Sequence, residues 1–156
     1  MANNKRAFDP KTTFCFQVKL IDLQGYSKGE AFFKSVSGLK YETEVVDYKQ
    51  GGENLTTRKL VGATKWAPIV LKKGFCGDST DLINWKRAWM DASGKKLDRL
   101  NGTIIQLNSD MSPVSSWEFR RGWPSKWELS EYDASKAEIA IETLEIQHEG
   151  LVYTPG

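Results

Sequence analysis

The sequence predicts a mainly β protein, a small antiparallel β-barrel or sandwich with one flanking α-helix. Three observations predict it. Apolar and polar residues alternate along short segments such as 14–20, as they do in strands with one buried side. Only one segment, 80–92, repeats its apolar residues at helical spacing. The last third, 117–151, is rich in strand-forming and aromatic residues and holds three of the six tryptophans.

The first half of the chain contains the first group of predicted strands. In the first of them, the side chains that share the buried face are Phe14, Phe16, Val18 and Leu20. Ala67, Ile69 and Leu71 line one side of a later strand in the same way. The predicted strands of this half are 13–22, 30–36, 40–49, 58–60 and 65–73, with an interruption near Gly62.

The strand predicted over 40–49 has no clearly apolar face. Glu42 and Glu44 share a side with Val46 and Tyr48. The core of a single domain does not explain such a mixed pattern, so we expect this strand to lie partly against another molecule or along a wet surface. The glycine-containing loop 50–54 follows it.

One helix is predicted from residue 80 to residue 92. Its apolar stripe consists of Leu82, Trp85 and Trp89. Asp78 or Ser79 can cap its start, because a side-chain oxygen there accepts an otherwise unpaired backbone N–H. Gly94 is suited to the left-handed conformation that ends a helix. We expect this helix to cover a β core.

The rest of the chain is predicted to be strand, with Pro113 and Pro124 at strand edges or turns. In the last strand, Ile139 and Ile141 point to one side while Leu144 and Ile146 point to the other, which predicts a bulge or two successive apolar environments. The predicted strands of this half are 102–108, 115–121, 125–131 and 138–149.

Size and charge limit the classes of function. A chain of 156 residues fits one domain, which we place at 13–156 after a flexible segment 1–12. The net charge of only +2 argues against binding nucleic acid through its backbone. The first residues contain no apolar run, and no stretch is long enough to cross a membrane, so we expect synthesis and assembly in the cytoplasm without a signal peptide.

The residues that usually carry catalysis or bind metals are few. Cys15 and Cys76 lie among apolar residues and are interpreted as buried or half-buried thiols, although a disulfide between them stays open. Two cysteines and one histidine cannot complete a zinc site. His148 has no nucleophile in a recognisable setting, so we expect no catalytic residue and no cofactor.

Two alternative hypotheses about function depend on carboxylates and tryptophans. The carboxylates of Glu42 and Glu44, or of Glu142, Glu145 and Glu149, could form a glycosidase pair, but acidic residues that alternate along strands are more often solvated. An aromatic platform would make the chain a carbohydrate-binding β module. The platform would consist of Trp117, Trp123 and Trp127. These tryptophans alternate in register with apolar strand residues, which favours a core or an interface.

The ordered set of segments resembles the inner tube proteins of contractile injection systems and contractile phage tails, which are related in fold to the secreted tube protein of type VI secretion. The resemblance covers residues 13–151, and its most specific parts are Gly-Trp-Pro-Ser-Lys-Trp at 122–127 and the segment 139–151. The other matching segments are 14–22, 36–39, 42–44, 48–54, 58–60, 69–74, 82–85, 102–104, 117–119 and 133–134.

This resemblance implies a structural subunit and no enzyme. Six copies would form a ring, and rings would stack head-to-tail into a hollow rigid tube that a contracting sheath propels. The implied partners are the chain itself, the sheath protein, baseplate, spike and cap proteins, and cargo in the lumen. A tube-initiating baseplate protein of the same particle is the alternative within the family. The resemblance leaves open whether the particle is cytoplasmic, membrane-anchored or extracellular.

A ring would also remove the exposed edges of a β domain, which otherwise pair uncontrollably. The two-sided segments 40–49 and 138–149, together with the loop 50–55, are therefore the predicted subunit interface. The candidate interface residues are Tyr41, Glu42, Glu44, Tyr48, Gly51, Gly52, Glu53, Asn54, Leu144, Ile146 and His148.

Overall fold

The structure is a computed structural model that describes residues 15–21, 27–52, 55–74, 81–91, 99–131, 133–136 and 138–155, with only the backbone described for 27–29 and 81. The predicted flexible segment 1–12, Cys76, Glu53 and Asn54 lie outside these residues. The helices and strands in the described part are β1 (Cys15–Ile21), β2 (Ser27–Phe33), β3 (Ser35–Ser37), β4 (Tyr41–Tyr48), β5 (Arg58–Trp66), β6 (Ile69–Gly74), α1 (Asp81–Met90), β7 (Leu100–Leu107), β8 (Pro113–Leu129), β9 (Ile141–Gln147) and β10 (Gly150–Pro155).

The strands form one large antiparallel sheet and one separate hairpin. The large sheet follows the order β2-β1-β7-β8-β9-β6-β3, and β10 pairs with β8. Its two ends, β2 and β3, are separated in the chain only by Lys34, whose N–H donates to the carbonyl of Lys72 at 2.9 Å. The ends do not pair with each other. The sheet therefore curls without closing, and of the two predicted forms the sandwich describes it. The mainly β fold is confirmed, with one helix among the described residues.

The core lies inside this curled sheet and centres on Phe119. The ring of Phe119 is fully buried between two glycines on neighbouring strands. A Cβ atom on Gly102 would lie 2.2 Å from Cζ of Phe119, and a Cβ on Gly122 would lie 2.5 Å from Cε2. The other core side chains include Val18, Phe33, Ile69, Leu71, Ile104, Leu144 and Ile146. The predicted alternation of β1 and β6 is thus confirmed by the burial of Val18, Ile69 and Leu71.

Strand β8 corrects the prediction of two separate strands. It runs without a break from Pro113 to Leu129 and joins two halves of the sheet, because β7 and β10 pair with its first half and β9 with its second. Arg121 has a φ of 52°, and its N–H donates to Oδ1 of Asn101 at 3.0 Å. Pro124 is buried inside the strand at a register shift, where a missing N–H costs little, and is therefore not at a strand edge or turn.

The helix lies against β8. Leu82 is buried, and Trp85 packs on the core, as the helical stripe predicts. The rings of Trp89 and Trp123 stack with centroids 5.6 Å apart. Helix α1 spans Asp81–Met90, and the predicted caps at Asp78, Ser79 and Gly94 lie outside the described residues.

Strand β9 is shorter and more regular than predicted. Leu144 and Ile146 point inward together with Glu142, while Ile141 faces outward, so the two apolar sets do occupy opposite sides. The register with β6 is continuous from Ile141 to Ile146. The predicted bulge is therefore absent from β9, and the irregularity lies in β8, between Pro124 and Lys126.

Candidate assembly surface

The hairpin of β4 and β5 is the most exposed element of the described structure. Both strands pair only with each other, from Tyr41 opposite Trp66 to Tyr48 opposite Arg58. Every residue of β4 is exposed, and so is all of β5 except Gly62 and Trp66. A two-stranded hairpin alone is marginally stable in water. We therefore expect that packing on another surface stabilises this hairpin.

Apolar side chains occur on both faces of the hairpin. Cross-strand partners share a face, so the pairing places Val45 with Val61 on one side and Val46 with Leu60 on the other. Val61 is 87% exposed, and the other three are exposed as well. A register shift between Thr43 and Val45 sets this arrangement. Both faces of the hairpin are therefore available for apolar contact.

The charges of the hairpin are largely compensated within it. Lys59 Nζ lies 3.0 Å from Oδ1 of Asp47, and Lys65 Nζ lies 3.8 Å from Oε2 of Glu44. Such exposed pairs add little to stability. They do, however, leave the middle of the hairpin nearly neutral, which favours an apolar partner surface.

The base of the hairpin is held by aromatic and backbone contacts. The rings of Tyr41 and Trp66 have centroids 5.2 Å apart, and the N–H of Ala67 donates to the carbonyl of Lys40 at 3.2 Å. Gly38 has a φ of +83°, and a Cβ there would lie 1.9 Å from the carbonyl oxygen of Pro68. These contacts fix the position at which the hairpin leaves the large sheet.

His148 links this base to the strand junction between β9 and β10. Its Nε2 lies 2.9 Å from the carbonyl oxygen of Ala67 and its Nδ1 lies 3.0 Å from that of Gly150. Its ring also packs 6.1 Å from that of Trp66. Both ring nitrogens are thus engaged within the subunit, and His148 positions the hairpin.

A second exposed surface is the cleft beside the connection from β8 to β9. Its volume is about 380 Å³, and it combines apolar and acidic side chains. Ile139 is 78% exposed beside it. The lining residues, which we call the acidic cleft, are Ser130, Glu131, Asp133, Ala134, Lys136, Glu138, Ile139, Ala140 and Ile141.

The model of one protein family matches residues 12–152, and the family is described as the T4-like virus tail tube protein gp19. The chain belongs to this tail tube family. It is therefore a tube-type structural protein and not an enzyme. A search of curated proteins found no sequence match.

Several solved structures share this fold. A chain of the anti-feeding prophage (AFP) baseplate has a TM-score of 0.79 and 23% identity, over 94% of this chain and 97% of that one. A chain of the PVC sheath–tube complex, an extracellular contractile injection system, has a TM-score of 0.80 and 20% identity, over 96% and 95%. An Hcp protein has a TM-score of 0.55 and 13% identity, over 90% and 91%.

In this tail tube protein, most of the described candidate interface residues are exposed. They are Tyr41, Glu42, Glu44, Tyr48, Gly51 and Gly52. Leu144 and Ile146 are fully buried in the subunit's own core, so their side chains have no area left for a neighbour, and we remove both from the candidate interface. Sequence alternation shows that a face is apolar but does not show what covers it.

The prediction missed the apolar pairs of the hairpin. Val45, Val61 and Leu60 were not singled out, and Leu55, which is 97% exposed, was included only as the last residue of the loop 50–55. The signal was available in β4, where apolar and charged residues share a side, but β5 was predicted as two short pieces. The pairing of Val45 with Val61 also depends on the register shift between Thr43 and Val45.

The side chains of two alternative sites, the Glu142–Glu145 pair and the tryptophan platform, are engaged differently in the described structure. Glu142 points inward on β9 and Glu145 outward, so their carboxylates do not face each other. Trp123 stacks on Trp89, and the indole N–H of Trp127 donates to Glu142 Oε1 at 2.6 Å. No described group of three or more His, Cys, Asp or Glu side chains could hold a metal ion, and no described helix is long and apolar enough to span a membrane.

Proposed function

We propose that the chain is the trunk subunit of the inner tube of a contractile phage-tail-like injection system. Six copies form a ring, and the rings stack head-to-tail into a hollow, rigid tube. The observation that carries this proposal is the projecting hairpin, whose two faces both expose apolar pairs, Val45 with Val61 and Val46 with Leu60. Exposed apolar area of this kind marks a protein interface.

The sheet edges support the same proposal. In the described structure, β2 pairs only with β1 and β10 only with β8, so each has a free edge. Free strand edges invite pairing with another chain. A ring of identical subunits covers such edges and closes on itself, whereas stacking between unlike surfaces continues.

The partners proposed for this tube follow from the particles that contain similar chains. Those are a six-fold symmetrised baseplate, a sheath–tube complex and a tube-terminating cap. We propose a contractile sheath around the tube, baseplate and spike proteins at one end, a cap at the other, and cargo in the lumen. Assembly takes place in the cytoplasm. We also propose that residues 13–156 form one domain.

A second role within the same particle is favoured by one observation. The TM-score to the AFP baseplate chain, 0.79, is nearly equal to that to the sheath–tube chain, 0.80. The alternative is therefore a tube-initiating subunit, which forms discrete rings and needs partners to continue. Rings of a trunk subunit, in contrast, stack on one another without other proteins.

Size-exclusion chromatography with electron microscopy of the purified chain tests these roles. Stacked hollow tubes support the trunk subunit, and single rings that grow only with baseplate proteins support the initiator. A chain that stays monomeric at every concentration, even with its sheath and baseplate proteins, would falsify both. A monomer that binds glycans would instead identify a carbohydrate-binding module.

A variant of the loop between β4 and β5 tests whether this loop takes part in assembly. Replacing Gly51-Gly52-Glu53 by a rigid or oppositely charged segment should impair assembly and leave the monomer folded. No described atom outside the adjoining residues lies within 4 Å of a Cβ added at Gly51 or Gly52, and the strain expected from the φ of +96° at Gly52 is confined to this exposed loop. Circular dichroism checks the fold and electron microscopy counts tubes. Normal tubes from this variant would refute a role for the loop.

A further inference from the structure

We propose that β10 of one copy pairs in parallel with β2 of the next copy around the ring, so that Phe32 lies beside Val152 and Glu30 reaches Arg120. This inference rests on the proposed function and specifies which strand edges meet and in which register. The partner of each edge is the opposite edge of a second copy of this chain.

The two edges belong to one five-stranded part of the large sheet. Its order is β2-β1-β7-β8-β10, in which β10 pairs with the first half of β8. Each of the four neighbouring pairs is antiparallel, so β2 and β10 run in the same direction. Rotation about the axis of a ring keeps the direction of a strand along that axis. A contact between β10 and β2 of adjacent copies is therefore parallel.

Exposed apolar side chains distinguish these two edge strands from the strands between them. In the described part of the five strands, the large apolar side chains that are exposed are Phe32 on β2 and Val152 and Tyr153 on β10. Phe33 and Leu151, which adjoin Phe32 and Val152 in sequence, are buried in the core. Because side chains alternate along a strand, Phe32 and Val152 both point away from the core, on the same face of the sheet. One exposed apolar side chain on each edge fits a contact between the edges.

The charges on this face select one register. In parallel strands with Phe32 beside Val152, Glu30 lies beside Gly150, because each is two residues earlier in its strand. Gly150 is in turn opposite Arg120 on β8, and a Cβ on Gly150 would lie 3.9 Å from Cβ of Arg120. Two strand spacings separate the backbones of Glu30 and Arg120 by roughly 10 Å. These two long side chains can therefore meet across the glycine.

Glu30 and Arg120 are both exposed and able to form this ion pair. In the described part of the chain, the guanidinium of Arg120 has no hydrogen bond or ion pair. Oε2 of Glu30 accepts a hydrogen bond from Nε2 of Gln17 at 3.2 Å, and a carboxylate can accept several more. The other described charges of this face are Lys19 and Glu118, which have opposite signs.

The register without a shift fits less well. If the rows of paired residues continued straight across the junction, Glu30 would lie beside Val152 and Phe32 beside Thr154. That register would place a carboxylate beside an apolar side chain and would move Glu30 farther from Arg120. Closure of a sheet also requires the strands to be staggered. A shift of two residues provides a stagger and keeps every side chain on its own face.

A charge-reversal experiment tests the ion pair. Glu30→Arg and Arg120→Glu each place like charges together, so each should raise the protein concentration needed for rings by at least about tenfold. The double variant should recover rings. Both positions are exposed, so the monomer should keep its fold, which circular dichroism checks. Glu128→Arg, at an exposed glutamate on the second half of β8, is the matched control and should not rescue Arg120→Glu.

The outcomes separate the register from the function. Single variants that form rings like the wild type, or a double variant that fails to recover rings, overturn the ion pair and leave the tube function standing. Rescue by Glu128→Arg as well would also overturn it. A wild-type chain that forms neither rings nor tubes overturns the function itself.

Chemical cross-linking gives a second measurement that does not depend on rescue. In a background of Cys15→Ala and Cys76→Ser, rings of Phe32→Cys with Val152→Cys should give covalent oligomers with a thiol cross-linker that spans about 5 Å, the spacing of adjacent strands. Phe32→Cys with Thr154→Cys should give far fewer, because the shifted register separates these positions by roughly 8 Å. Rings that cross-link through neither pair overturn the contact between β10 and β2, and rings that cross-link mainly through the second pair overturn the register.

Discussion

Glu142 is the one described carboxylate that lies fully inside the subunit. Its Oε1 accepts the indole N–H of Trp127, and its Oε2 lies 3.6 Å from Nζ of Lys73 without a hydrogen bond. The ammonium of Lys73 also lies 5.9 Å from the ring centroid of Phe33. A buried charge needs its partner, although the pair as a whole need not stabilise the fold.

Removing one member of this pair should therefore cost more than removing both. Lys73→Met alone leaves an uncompensated buried carboxylate and should lower the free energy of unfolding by about 3–5 kcal/mol. Lys73→Met with Glu142→Leu should be close to wild type or more stable. Urea unfolding measures all three proteins. A double variant as unstable as the single one would contradict the argument. Lys126→Ala is the control: it removes an exposed pair with Glu128 and should leave the free energy of unfolding nearly unchanged.

The pKa of Asp133, in the acidic cleft, is lowered by hydrogen bonds from its own loop. The hydroxyl of Ser135 donates to its Oδ1 at 2.5 Å, the backbone N–H of Ser135 donates at 2.9 Å, and together they lower the pKa of Asp133. Ser135→Ala should raise this pKa toward its ordinary value, as measured by NMR titration.

The sign of the stability effect follows from that direction. A lowered pKa stabilises the folded state above the ordinary aspartate pKa, and this contribution disappears as pH falls through the lowered value. The stability difference between wild type and Ser135→Ala should therefore be present at neutral pH and vanish in acid. A difference that persists unchanged in acid would assign the effect to something other than Asp133.

At the scale of elements, the pairing of β7 with β8 requires glycine at position 102, opposite Phe119. Gly102→Ala would place a Cβ 2.2 Å from Cζ of Phe119, so the fully buried ring would have to shift within the core. Overpacking of this kind costs about 1–3 kcal/mol. Urea unfolding of the monomer measures the loss. Gly51→Ala is the matched control, since no described atom outside the adjoining residues lies within 4 Å of its added Cβ. Equal losses in both variants would contradict this explanation.

The same elements show what a sequence can predict. The stripe of α1 was predictable because helical periodicity is local, and Trp85 and Leu82 pack as it indicates. The continuity of β8 was not, because Gly122 and Pro124 resemble strand ends until β7, β9 and β10 supply partners along its whole length. Glu142 was assigned to a solvated face, because an acidic residue is usually solvated unless a distant partner such as Lys73 is known.

For the candidate interface, the sequence predicted a region whose described residues are mostly exposed, and the interface itself stays a prediction. The mixed faces of β4 indicated an intermolecular element, and the exposure of Tyr41 and Tyr48 agrees with that interpretation. Leu144 and Ile146 were misassigned because core and interface share one apolar pattern. The exposed partners on β5 depend on strand register, which the sequence does not specify across the loop.

At the scale of the whole molecule, the two apolar faces of the hairpin indicate how many surfaces of neighbouring subunits the hairpin contacts. A hairpin that lies on a single surface buries one face and leaves the other in water. Here Val45 and Val61 occupy one face, and Val46 and Leu60 occupy the other, all of them exposed in the single chain. Burial of both faces requires that the hairpin lie between two surfaces of the assembly.

Two variants separate these arrangements. Val45→Thr with Val61→Thr makes one face polar, and Val46→Thr with Leu60→Thr does the same to the other, while threonine keeps the β propensity. If both faces are covered, each variant should lower the yield of tubes by at least about tenfold, because each removes two apolar contacts. The melting temperature of the monomer should stay unchanged, since these side chains are already exposed. Tubes counted by electron microscopy decide the matter, and a loss confined to one variant would place the hairpin on a single neighbour.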